Sequence, residues 1–202
     1  MIPFVSPVAF GLGALGWSFA EYALHRFSGH GPRAKVSQRK AGLFDGDFGS
    51  EHQAHHADTR YFTPTSRKLR LAVVALPAMA AAGSLVVGPR RAISFVLGFG
   101  SAYAFYELVH RRTHTHAPIG PYARWARRHH LHHHFESPRK NHGVTTPLWD
   151  LVLRTHERSD RIRVPRRHAP TWLLHPNTGE VRREYASDYE LARPRPAACS
   201  AP

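Results

Sequence analysis

The sequence predicts an all-α integral membrane protein: about three transmembrane or deeply inserted helices under a helical, histidine-rich cap on the cytosolic side. Three observations carry this. Apolar residues concentrate in three runs, 2–24, 69–88 and 92–109. Histidine is abundant, 17 of 202 residues, and its clusters fall at or soon after those runs or in the segment that follows them. Lys and Arg are absent from residues 1–24 and crowd the segments after the first and third runs.

The length suits one domain. A division at residue 156 separates a membrane domain, 1–156, from a basic Pro/Arg-rich tail, 157–202, expected to be largely irregular with little core. The formal charge of +14, from 28 Lys+Arg against 14 Asp+Glu, favours a polyanionic partner. No nucleic-acid-binding module is recognisable, so the expected partner is a lipid surface. Arg outnumbers Lys 24 to 4, a weak pointer to a GC-rich bacterial genome. Cys199 is the single cysteine, so a disulfide framework and a cysteine-built zinc finger are both excluded.

The first run, Ile2 to Leu24, lacks a basic leader, which argues against a cleaved signal peptide. Gly11, Gly13 and Gly16 suit close helix packing in a bilayer. His25 and His30 follow. On an α-helix a spacing of five rotates them apart by about 140°. The expectation is that His25 ends the helix and Gly29 breaks it, returning His30 to the same centre. Residues 41–50, AGLFDGDFGS, read as loop, and His52, His55 and His56 form an i, i+3, i+4 triplet after it.

The second and third runs are joined by Gly88-Pro89-Arg90-Arg91, which predicts a helical hairpin. The third run delivers His110 and His114, one turn apart on one face. After a basic connector comes His129 to His134, in which His130, His133 and His134 repeat the i, i+3, i+4 pattern, although His129, His132 and His133 satisfy it too. Trp149 and Leu151 to Leu153 suggest a short amphipathic helix at the interface. Charge places the N-terminus outside and all the histidine motifs inside, most simply at a bacterial plasma membrane.

One HxxxH pair is often two solvated histidines. Four clusters in one short chain, on one side of a membrane, point to metal. Imidazole suits iron, zinc and copper better than calcium or magnesium. Ten nitrogens exceed one ion's capacity and suit two, each with about five and room for oxygen. Metal storage by a non-enzymatic basic membrane protein uses the same residues, and metal stoichiometry separates the two readings.

The order HRFSGH, HQAHH, HRRTH, HLHHH, with Glu21-Tyr22 before it and Gly143-Val-Thr and Trp149-Asp150 after it, resembles the membrane fatty acid hydroxylase/sterol desaturase superfamily. Within it the motifs look most like those of fatty acid (ceramide) 2-hydroxylases, over roughly residues 18–155. The resemblance implies a diiron centre that uses O2 and two electrons to hydroxylate a lipid chain. Zinc can replace iron in a purified sample. The implied ligands are His25, His30, His52, His55, His56, His110, His114, His130, His133 and His134. The last register is preferred because Phe135 follows it. Glu21, Glu51, Glu107 and Asp150 are candidates to orient histidine N–H groups. His142 stands where relatives often carry Phe and is expected to be exposed. His116, His129 and His132 are expected behind the ligands or at the surface, and His156, His168 and His175 in the tail without a role. Relatives usually have four spans, and the helix expected before the first run has no counterpart. The haem-binding domain fused to some relatives is also missing, so a separate electron-donor protein is implied. A carotenoid ring hydroxylase or sterol-type oxidase would use the same cage on another lipid.

Overall fold

The computed structural model describes residues 5–30, 48–158 and 160–192. Cys199 and most of the 41–50 loop lie outside them. Helix α1 spans Pro7–Ala23, with Ser6 as N-cap and Pro7 in its first turn. It runs straight on into a π-helical turn, Leu24–Gly29. Helix α2 is Phe48–Ala57, α3 is Thr65–Val87, α4 is Pro89–Thr115, α5 is Gly120–Phe135 and α6 is Leu148–Val152. Phe48 to Ser50, expected in a loop, are already helical.

The hairpin between α3 and α4 turns on Gly88 alone. Its φ of 79° is open to glycine, and Pro89 starts the next helix. Among the described residues α3 and α4 are the two helices long and apolar enough to cross a membrane. No residue of α3 is buried, and Leu69, Val73, Leu85 and Val86 all face outwards. In water such a surface would be costly; in hydrocarbon it is at home.

α1 lies against α4, and the two run parallel. Ser6 N donates to Ser94 Oγ at 2.8 Å, and Trp17 packs on Phe99, Tyr103 and Tyr106 further along. The helices touch backbone to backbone: a Cβ on Gly13 would collide with Phe95 O, and one on Gly98 with Phe10 O. Of the three early glycines, Gly13 meets backbone and Gly16 the Phe95 and Phe99 rings, whereas Gly11 faces open space. α3 runs antiparallel to α4, tied by Lys68 to Glu107 at 2.5 Å and by Leu76 against Gly100.

Part of the stretch expected to drape loosely, residues 162–191, is ordered. A short parallel pair, β1 (Ile162–Val164) and β2 (Tyr189–Leu191), organises a small lobe. Its core joins Ile162, Val164, Trp172, Leu173, Tyr185 and Tyr189 to Leu131 of α5. The apolar residues are too scattered to show periodicity, and the core closes because α5 supplies a wall. Trp172 also donates to Thr113 O at 3.3 Å and lies under the Arg127 guanidinium.

Candidate metal centre

Four elements deliver the histidines: the π turn after α1, then α2, α4 and α5. The π turn corrects the reading of His25 and His30. Winding with i to i+5 bonds carries the helix through to Gly29 and brings residues five apart towards one side, and the helix ends there, with His30 as its non-helical cap at φ −117°. Gly29 serves another purpose, because a Cβ there would meet the His52 ring at 2.6 Å. α5 is buried on every side from His129 to His134, with His130, His133 and His134 turned towards the other clusters.

The side chains meet in two groups of five. One is His25, His30, His52, His56 and His133; the other is His55, His110, His114, His130 and His134. Within each group the ligand-type atoms all lie within 4.8 Å of one another. His129 and His132 belong to neither. The groups adjoin, with His56 stacked on His134 at 4.0 Å between ring centroids.

In the first group His30 Nε2 lies 2.9 Å from His133 Nε2 and 2.8 Å from His52 Nε2, and His133 Nε2 is 3.2 Å from His56 Nε2. In the second, His55 Nε2 lies 3.2 Å from His114 Nε2 and 3.1 Å from His110 Nε2, and His130 Nε2 is 3.0 Å from those of His114 and His134. Imidazole nitrogens bind a first-row metal at about 2.1 Å, so neighbouring ligands on one ion stand about 3 Å apart. The spacing fits a shared cation.

The tautomers say the same. His25 Nδ1 donates to His142 O at 2.5 Å, His55 Nδ1 to Tyr61 O at 2.8 Å and His133 Nδ1 to Lys140 O at 2.7 Å. A neutral ring that spends its proton on Nδ1 has a bare Nε2. His25 Nε2 is buried without a partner. Converging lone pairs repel unless a proton or a cation lies between them, and a cation satisfies all five at once. Burial, reinforced by neighbouring imidazoles, holds His52, His56, His130, His133 and His134 well below the ordinary histidine range. Burial brings His30 and His55 down to about 4. The rings are therefore neutral near pH 7, the form that binds metal.

Among the described residues the candidate carboxylates make no hydrogen bond to the ten rings, and backbone carbonyls orient three of them, His25, His55 and His133. Glu51 accepts from Tyr61 and Thr63 hydroxyls and pairs with Arg67. Glu107 pairs with Lys68. Glu21 accepts from the Val144 and Thr145 amides and the Thr145 hydroxyl. Asp150 alone touches a histidine, His129, at 3.2 Å, and otherwise holds the His142 and Gly143 amides. His142, expected to be exposed, is 2% exposed, its ring 5.4 Å from that of His133. A lone histidine in a loop carries no periodicity from which its burial could be read.

A fatty acid hydroxylase family model matches residues 10–155. The chain belongs to the fatty acid hydroxylase family. It is 30% identical over 153 residues to dihydroceramide fatty acyl 2-hydroxylase FAH2 of Arabidopsis thaliana, covering 73% of this chain and 59% of that one. It is 31% identical over 148 residues to fatty acid 2-hydroxylase of Mus musculus, covering 72% and 38%. The chain thus spans well under two thirds of the length of these relatives. The fold is similar to a solved structure of full-length scs7p in which only the hydroxylase domain is visible, at a TM-score of 0.53 and 22% identity, covering 75% of this chain and 56% of that one.

In this chain a cavity of about 340 Å³ opens beside the histidines, between α1, α3 and α4. His52 of one group and His55 and His110 of the other line it. Polar residues, among them Glu51, Arg67, Lys68 and Glu107, share that end, and the remainder is apolar. No pattern in the sequence announces the cavity, because its walls come from helices far apart in the chain.

Proposed function

We propose that the chain is an O2-dependent, non-haem diiron lipid hydroxylase that places hydroxyl on a fatty acyl chain, next to the acyl carbonyl. The supporting observation is the pair of five-nitrogen groups at the head of an apolar cavity. The ten histidines would hold two iron ions, which when bound supply the oxygen activation that an unactivated C–H bond demands. The chain's own residues do the rest. Carbonyls of His142, Tyr61 and Lys140 fix the rings of His25, His55 and His133 so that Nε2 faces inwards. The apolar walls exclude water and hold the alkyl chain. Paired charges at the histidine end suit the polar head of the substrate, so attack falls near that head. α1, α3 and α4 are taken as the three inserted helices, with the N-terminus outside, the site facing the cytoplasm of a bacterial cell, and electrons arriving from a separate donor protein.

The test is mass spectrometry of host membrane lipids with and without the protein, under oxygen and under nitrogen, alongside metal analysis of purified protein. The expected outcome is 2-hydroxy acyl product under oxygen only and two metals per chain, with product lost in His110→Ala and His133→Ala. Oxygen-dependent product in either variant counts against the site; polar carotenoids or sterols in place of hydroxy acids move the substrate.

A further inference from the structure

The cavity has a floor as well as a mouth. At the histidine end Lys68 of α3 meets Glu107 of α4. Further down, Leu76 Cδ1 comes within 3.4 Å of the Cβ position of Gly100, closing the α3 side. At the same level the Trp17 and Phe99 rings meet edge to face at 5.3 Å, closing the α1 side. Phe99 is held there because its ring and that of Phe95 lie over Gly16. Trp17, Leu76 and Phe99 all line the cavity. From His110 to Phe99 along α4 is eleven residues, about 16 Å of helix. That depth is about half of the ~30 Å hydrocarbon core, one leaflet.

We propose that this floor is an acyl-length ruler: Trp17, Phe99 and Leu76 stop the methyl end of a single acyl chain whose polar head sits among Arg67, Lys68, Glu51 and Glu107. The proposal rests on the hydroxylase reading for the identity of its occupant. The ruler is set by aromatic bulk at one level of α4. The next ring below on that face is Phe95, one turn away, so removing the Phe99 ring deepens the cavity by about 6 Å. Ala72, a cavity wall residue one turn above Leu76, sets the width of the shaft, and a larger side chain there raises the floor by about the same distance.

Two measurements test it. The full chain as purified, in mixed-lipid nanodiscs under nitrogen, is photolabelled with fatty acyl amides that carry a diazirine at the methyl end, and labelled peptides are mapped. Labelling at the α1 and α4 segments around Trp17 and Phe99 supports the ruler; labelling spread evenly over the outer face of α3 overturns it. In cells, the length distribution of 2-hydroxy products is read for Phe99→Ala and Ala72→Leu. The expected result is a shift to longer chains in the first and to shorter in the second. An unchanged distribution in both overturns the proposal. Should Phe99→Ala not accumulate, Ala72→Leu and the labelling decide alone. Floor labelling without any hydroxy product in the unaltered protein defeats the hydroxylase reading while supporting the ruler, so the two failures are separable.

Discussion

Asp150 shows how single residues build the site from behind. Its carboxylate is fully buried and accepts from the His142 and Gly143 amides at 2.8 Å each, from Thr155 Oγ1 at 2.7 Å and from His129. The carbonyl of the same His142 holds His25. Each buried donor left without an acceptor costs about 1–3 kcal/mol. Asp150→Ala should therefore lower stability by about 3 kcal/mol or more, read as the denaturant midpoint in detergent, and weaken metal binding in the first group before the second. Asp150→Asn, which keeps an acceptor, should fall between. Equal metal content in Asp150→Ala and the unaltered protein would sink this account. Spacing alone gathers His52, His55 and His56 and likewise His110 and His114 on a face, whereas the register of His130, His133 and His134 needed the family resemblance and His25 with His30 needed a change of winding. Glu51, expected to orient a histidine, shows why a carboxylate near a ligand need not reach it. Glu51 and His52 are neighbours in α2, and neighbours on a helix point about 100° apart. The acceptors are loop carbonyls, which no side-chain pattern announces.

At the scale of elements, the runs 69–88 and 92–109 were readable as a hairpin from their length and from Gly88-Pro89. The winding after α1 was not. An α-helix separates His25 from His30, and only the π turn reunites them. Functional sites are where such turns recur. Gly29, within that turn, makes room for the His52 ring, and a testable contrast follows with Gly11, where an added Cβ meets nothing within 4 Å. Gly11→Ala should leave metal content unchanged and raise stability by a few tenths to about 1 kcal/mol. Gly29→Ala should push the His52 ring away, so that metal content falls from two ions per chain towards one while the helical circular dichroism persists. Full occupancy in Gly29→Ala would show that His52 is not needed in the first group.

The whole molecule is held at its centre by groups that repel one another when bare. Burial keeps the imidazoles neutral, and their ring nitrogens converge from four elements, so a bound cation would draw the π turn, α2, α4 and α5 together. The lobe at 162–191 backs α5 from the other side through Leu131 and Trp172. That lobe was missed because its core is borrowed: read alone, its sequence is Arg- and Pro-rich and too poor in apolar residues to fold. A ligand that binds only the folded state stabilises by about 4 kcal/mol at a thousandfold excess over Kd. For a domain of this size each kcal/mol moves the melting midpoint by roughly 2–4 °C. Removing both ions with a chelator should thus lower Tm by about 10 °C or more, and adding back ferrous iron or zinc should restore it. The same treatment applied to His133→Ala should give a smaller drop, since one group is already broken. A Tm that ignores chelation, with metal loss verified by elemental analysis, would mean that packing alone holds the ten rings and that the cage is not built around ions.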